Sequence, residues 1–313
     1  MITTVTLNVA IDKAYVIDAL NKGEVMRVQK CSNTAGGKGL NVAKVVKLCG
    51  EPVTAAGFVG GHAGKYVCEM LDEAGVPNRF IHTKGETRSC INILASDGSS
   101  TEFLEPGEPV EEADVAAFLK DFEEVVKESD VVTISGSMQK GIPADMYSQL
   151  ITKVKAAGKK VILDTSGKLL ENGIQAKPDM IKPNDDEIEM LLGVSADSYE
   201  KIVEGAKKLH AMGIPMVVVS LGGDGALLVT EEGVFHGRPP KIQVVNTVGC
   251  GDSMTAAFAV ALARKLPVKE MLRYAVAVSA SNALTMKTGN FRQEDMEEIL
   301  PKVTIEEVEI FHK

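Results

Sequence analysis

The chain has 313 residues, 45% of them hydrophobic and 25% charged, with a formal net charge of −9. That length suits one large α/β domain, with or without a small appendage. The acidic balance, the lack of tryptophan and an aromatic content of only 4% argue against a nucleic-acid surface, which needs a basic face and stacking rings. An anionic small ligand would have to find its cations locally.

The first eight residues, Met1-Ile-Thr-Thr-Val-Thr-Leu-Asn8, alternate as a strand does and carry no leader-like basic or apolar region. Residues 15–34 and 87–106 lack helical periodicity. They hold strand-like stretches at 89–94 and 101–104, joined by Asp97-Gly98, a hairpin-turn pair. They predict a small antiparallel sheet inserted into the main domain as a lid, spanning about 13–34 and 87–108.

Further along, 131–135, 161–164, 180–182 and 216–220 are short β-branched stretches. Helical periodicity separates most of them, at 144–157, 185–192 and 199–212, with Gly158, Gly193 and Gly213 where C-caps belong. Alternating strands and helices imply right-handed crossovers and a mostly parallel sheet covered on both faces. Ligands bind beyond the carboxyl ends of such strands. The polar residues there are Ser135-Gly-Ser137, Asp164-Thr165-Ser166, Lys182-Pro-Asn184 and Ser220-Leu-Gly-Gly223.

A last strand, expected at 242–245, leads into Asn246-Thr-Val-Gly-Cys-Gly-Asp252 and an alanine-rich helix. Gly249, Cys250 and Gly251 would let the N–H groups of 249–252 converge on an anion at a helix N-terminus. Asp252 could there take a proton from an attacking hydroxyl; read alone, it is equally an N-cap aspartate. Ala35-Gly36-Gly37-Lys38-Gly-Leu-Asn41-Val-Ala43 is a second glycine-rich helix start, with neither the P-loop nor the dinucleotide-binding spacing. The longest apolar stretch, 254–263, is too short for a membrane span. Five cysteines without a C-x-x-C pair predict free thiols in a reducing cytosol and no zinc site.

The two glycine segments together resemble the signatures of the ribokinase (PfkB) carbohydrate-kinase family. Leu7-Asn-Val-Ala-Ile-Asp12-Lys is similar to the start of its hexose-phosphate branch, which holds 1-phosphofructokinases, tagatose-6-phosphate kinases and minor 6-phosphofructokinases. The resemblance covers the whole chain. It implies a single ribokinase-like three-layer α/β/α domain over 1–313 with its β-sheet lid, ATP and Mg²⁺ as cofactors, and a sugar phosphate as small-molecule partner.

It implies that Asp252 is the base and that Gly249, Cys250 and Gly251 form the anion turn. Asp12, Gly36, Gly37 and Asn41 would hold the sugar. Arg27, Lys38, Arg88 and Ser137 would bind its existing phosphate. Lys182 would reach the nucleotide phosphates, and Asn184 and Glu187, an N-x-x-E pair, would organise the metal. Ser220, Gly222, Gly223, Gly225, Gly251 and Asn282 would line the ATP site.

Plainer readings exist for single residues: Asn184 and Glu187 as a capping box, Arg27 and Arg88 as solvated lid charges. The chain departs from the common pattern at Val9, at Cys250 and at Met138-Gln-Lys140, where a proline is usual and Lys140 adds a charge. Pairing of the lid edges predicts a homodimer. A catalytically silent sugar-phosphate sensor is the competing reading from another class; the intact Asp252 speaks against it.

Overall fold

The computed structural model describes residues 1–308. Six neighbouring strands of the main sheet are short, apolar and mostly buried: β1 (Ile2–Thr6), β4 (Val53–Gly60), β8 (Val131–Ser135), β9 (Lys160–Asp164), β10 (Met180–Ile181) and β11 (Met216–Ser220). Strands covered on both faces cannot alternate apolar with polar, and these do not. With β5 (Asn78–Thr83) they form the parallel part of a ten-stranded sheet. β12 (Ala226–Thr230), β13 (Gly233–Arg238) and β14 (Thr304–Glu307) extend it antiparallel beyond β11. The order is β14-β13-β12-β11-β10-β9-β8-β1-β4-β5.

Helices cover both faces. α1 (Lys38–Leu48), α2 (Gly61–Glu73), α8 (Cys250–Ala263), α9 (Val268–Asn282) and α10 (Gln293–Ile299) pack into one core. α3 (Glu112–Glu128), α4 (Met146–Ala156), α5 (Gly167–Gly173), α6 (Asp185–Leu192) and α7 (Tyr199–Ala211) pack into the other, around Phe118, Phe122 and Tyr147. α8 is buried along most of its length, as an apolar helix must be when other elements surround it. The three-layer α/β/α reading therefore holds.

The lid is a separate four-stranded sheet: β3 (Lys30–Gly36), β2 (Ala10–Ile17), β6 (Arg88–Ala95) and β7 (Ser100–Leu104), in that order. Its two outer pairs are antiparallel, and the central β2–β6 pair is parallel. The Asp97-Gly98 turn forms as expected, with Gly98 at φ +83° and the Asp97 carboxylate accepting from Ser99 N at 2.8 Å.

The strand expected at 242–245 does not form; that stretch is irregular. Pro239 and Pro240 have no N–H to give, and the amides of Val245 and Asn246 are spent on Ala283 O at the end of α9. Val244 and Val245 are exposed, so their β-branched character reflects no buried sheet.

Candidate active site

β1, β8, β9, β10 and β11 run parallel, so their carboxyl ends share one edge of the sheet, and the functional side chains collect there. β9 ends on Asp164, β10 is followed by Lys182, and β11 ends on Ser220. The lid joins the same edge through the residues after β1 and before α1.

Asp252 stands in the first turn of α8, 8% exposed, and accepts a hydrogen bond from Asn41 Nδ2 at 2.8 Å. Burial pushes its carboxyl up to about 6; the nearby Asp164 charge adds to this, while Lys38, Asn41 and Lys182 oppose it. A base poised near neutrality is what proton abstraction from a hydroxyl requires. Gly249 makes the turn: it has φ +85°, and a Cβ there would lie 2.8 Å from Gly289 N. Only part of the expected amide cradle is free. Cys250 N already donates to Thr247 O, whereas the N–H groups of Gly251 and Asp252 have no acceptor among the described residues.

Asp164 is the hub that the sequence reading left without a role. Its buried carboxylate lies 3.5 Å from Lys38 Nζ and 3.6 Å from Lys182 Nζ, and accepts from Thr255 Oγ1 at 2.7 Å. Burial works against its charge, but Lys182, Lys38 and the Thr255 hydroxyl more than compensate and hold the carboxyl below the usual range. In return Asp164 raises the Lys38 ammonium above the usual lysine value. The two lysines are thus fixed, charged and side by side, Lys182 buried and Lys38 half exposed. Lys182 Nζ also sits 3.3 Å from where a Gly251 Cβ would be.

On the lid side, Asp12 bends back over Gly36 so closely that a Cβ there would fall 2.2 Å from its Cγ. Burial raises the Asp12 carboxyl, with Lys44, Arg88 and the Gly37 N–H pulling the other way. Arg88 donates to Glu105 O at 2.8 Å and to Asn8 O at 3.2 Å. Asn8 Nδ2 reaches Ser137 Oγ at 3.0 Å. The buried oxygens Asn41 Oδ1 and Asn8 Oδ1 have no hydrogen-bond partner among the described residues, so each has the capacity to accept from a polyhydroxylated ligand.

Asp12, Gly36, Gly37, Lys38, Asn41, Arg88, Ser137, Lys182 and Asp252 are therefore brought to one edge. Arg27 is exposed in the loop between β2 and β3 and makes no ion pair among the described residues. Lys140 is exposed as well. Ser220, Gly222, Gly223 and Gly225 form the turn after β11; Gly222 and Gly223 face open space, and Gly225 is packed against Gly237 O. Asn282 is fully buried and spent: it donates to Val248 O and Cys250 Sγ and accepts from Ser253 Oγ and Asn290 N. It braces the anion turn, with no atom left for a nucleotide.

Asn184 and Glu187 form the capping box of α6: Glu187 N donates to Asn184 Oδ1 at 2.8 Å, and Asn184 N to Glu187 Oε2 at 3.0 Å. Glu187 Oε1 keeps no protein partner among the described residues. No group of three acidic, His or Cys side chains that could hold a metal occurs among them. The donor set fits a cation carried mainly by phosphate oxygens and water, as Mg²⁺ is with nucleotides, and not a metal caged by protein.

Among the described residues no helix is long and apolar enough to cross a membrane, and all five cysteines are free thiols.

Comparison with known proteins agrees with this geometry. The sequence profile of the pfkB family carbohydrate kinase matches residues 5–295. The structure is similar to Escherichia coli phosphofructokinase-2 in complex with potassium, at 28% identity and a TM-score of 0.90 over 96% of this chain and 98% of that one. It is similar to a Thermotoga maritima protein described as a possible 1-phosphofructokinase, at 27% identity and a TM-score of 0.89 over 99% and 100%. It is similar to Arabidopsis thaliana ribokinase complexed with ribose and ATP, at 26% identity and a TM-score of 0.77 over 96% and 98%. The chain that carries this buried aspartate at a glycine-turn helix start, with two lysines held on one carboxylate beside it, belongs to the PfkB family of carbohydrate kinases.

Proposed function

We propose that the chain transfers the γ-phosphoryl group of ATP to a ketohexose phosphate, with fructose 1-phosphate giving fructose 1,6-bisphosphate. The observation that carries this is Asp252, buried, held by Asn41 and pushed up to about 6 beside the free N–H groups of an anion turn. A carboxylate so placed takes the proton of the substrate hydroxyl as its oxygen attacks the γ-phosphorus. The bond to the β–γ bridging oxygen breaks and ADP leaves. Lys38, Lys182 and the Gly251 and Asp252 amides face the charge that spreads over the phosphoryl oxygens. Bound Mg²⁺ would neutralise part of the same charge, and Glu187 and Asn184 would be the residues that orient it.

A phosphorylated sugar is supported by the cationic side chains Arg88, at the start of β6, and Lys38, at the start of α1, with Arg27 on the lid loop. The neighbours support it too: Escherichia coli phosphofructokinase-2 has been solved with fructose-6-phosphate. Initial rates with fructose 1-phosphate, tagatose 6-phosphate, fructose 6-phosphate and ribose test the reading. Preference for tagatose 6-phosphate, giving tagatose 1,6-bisphosphate, or for fructose 6-phosphate would replace the substrate and keep the chemistry. No ATP consumption with any of them would make the chain a silent sensor.

The working assembly is proposed to be a dimer through the lid. Leu20, Val25, Val28, Phe103 and Leu104 are exposed on the lid and its loop, more apolar surface than one small sheet keeps in water without a partner.

A further inference from the structure

Lys44 is a partly buried charge that the mechanism above does not use. It lies one turn beyond Asn41 on α1, on the same helix face, and Asn41 is the residue that holds Asp252. The partly buried Lys44 Nζ donates to Ala35 O at 3.1 Å. Ala35 pairs with Ile11 in the lid sheet. The next residues on the two strands bring the Asp12 carboxylate over Gly36. The ammonium is therefore fixed within electrostatic reach of both Asp12 and Asp252, yet makes a direct ion pair with neither among the described residues. Among the described residues Ala35 O is its acceptor, which leaves two of its three N–H groups without one there. Burial pushes this ammonium below the usual lysine range, while the two aspartates oppose that. A lysine that pays desolvation without an ion pair needs a reason to be there.

We propose that Lys44 is a positioning residue for phosphoryl transfer: its ammonium is the fixed counter-charge that lets Asp12 and Asp252 both stay ionised while sugar hydroxyls bind between them. The inference rests on the kinase reading for its purpose but not for its test. Other charges face the same two carboxylates. Asp252 also faces Asp164, Lys38 and Lys182, and Asp12 also faces Arg88 and Glu102. Lys38 and Lys182 are already committed to Asp164, and Arg88 to two backbone carbonyls. Lys38 and Lys182 act on Asp252 and Arg88 on Asp12, whereas Lys44 is a cation that feels both aspartates.

The test is a ¹³C-carboxyl titration of the ligand-free protein labelled at aspartate, with Asp12→Asn and Asp252→Asn assigning the two signals. Lys44→Met should move both midpoints upward by about one pH unit, the size expected of one nearby opposite charge. Lys44→Arg, which keeps the charge, should restore them. In turnover, kcat/KM of Lys44→Met should fall about threefold at pH 6.5, the loss of ionised Asp252 that a one-unit rise from about 6 gives there, and approach wild type at pH 8.5, because the missing cation matters only where the carboxylates are protonating. If Lys44→Met does not fold, Lys44→Gln serves in the same scheme. Unchanged midpoints, or a loss equal at both pH values, would reduce Lys44 to a brace between α1 and β3 and overturn the proposal. The titration needs no substrate, so its failure is distinct from failure of the kinase reading, which would appear as no turnover with any sugar phosphate.

Discussion

On the proposed mechanism, Asp252 would serve catalysis at a cost to the fold. Its carboxyl is held at about 6, above the 3.8 of a free aspartate, so the native state binds that proton more tightly than the unfolded chain. Stability from this group is greatest at low pH and is lost as pH rises through the window from about 4 to about 6. Asp252→Asn should therefore melt no lower than wild type at pH 8, and higher if its amide keeps the contact with Asn41. The same variant should lose about 10²–10⁴-fold in kcat, and wild-type kcat/KM should fall on the acid side with a midpoint near 6. Calorimetry and a pH–rate profile check both; wild-type kcat in the variant would remove Asp252 as the base. Arg88 is proposed to serve substrate binding instead. Arg88→Ala should raise KM for the sugar phosphate about ten- to a hundredfold, the worth of a charge-assisted pair, and leave KM for ATP unchanged, with Lys restoring part of the loss. An equal kcat/KM loss on unphosphorylated fructose would show that Arg88 only ties Asn8 O to Glu105 O.

At the level of elements, α6 separates structure from chemistry within one residue. Glutamine at N3 preserves a capping box, so Glu187→Gln should keep α6 intact while removing the charge that faces the nucleotide side. Glu187→Ala removes the charge and the side-chain half of the box, leaving the bond from its own N–H to Asn184 Oδ1. The Mg²⁺ concentration giving half-maximal rate should rise in both variants, and Tm should drop only in the alanine variant, which loses one hydrogen bond worth ~0.5–1.5 kcal/mol. An unchanged metal profile would leave Glu187 as a cap alone.

This pair also shows what a sequence can carry. The capping box and the N-x-x-E pair are the same four residues, and both readings were open before the structure. Local signals such as the helix at 185–192, the Asp97-Gly98 turn and the glycine starts of α1 and α8 were legible because short-range geometry dictates them. The role of Asp164 was not, because it depends on β9 lying beside β10 and beneath α8. Lys44 was missed likewise: its partners lie on the lid and on a helix some 200 residues away. The stretch 242–245 misled for the converse reason. Its valines are β-formers by type, but their backbone partners are the end of α9.

Taken as a whole molecule, the chain offers two surfaces, a closed body and an open-edged lid. Sedimentation at micromolar concentration should give a dimer, and charges placed on the lid at Phe103 and Leu104 (Phe103→Glu, Leu104→Lys) should dissociate it without lowering the Tm of the body. A monomeric wild type would exclude the lid dimer; an Escherichia coli phosphofructokinase-2 neighbour has a tetrameric inhibited form, so higher species are to be resolved in the same run. The body and lid are joined by four chain crossings, after β1, before α1, before β6 and after β7. Three of these are tied together: Arg88, at the start of β6, donates to Asn8 O and Glu105 O. Gln139, from the body, gives its N–H to Leu7 O and its Nε2 to Glu108 O. The fourth crossing is Gly37, between Asp12's perch on Gly36 and Lys38. The residues that would grip substrate are thus the lid's attachment points. Occupancy should accordingly be felt as mechanical stiffness some distance from the ligand. Backbone amides of β2 and β6 should exchange with deuterium more slowly once sugar phosphate binds, while those of β12 and β13, on the far side of the sheet, keep their rates.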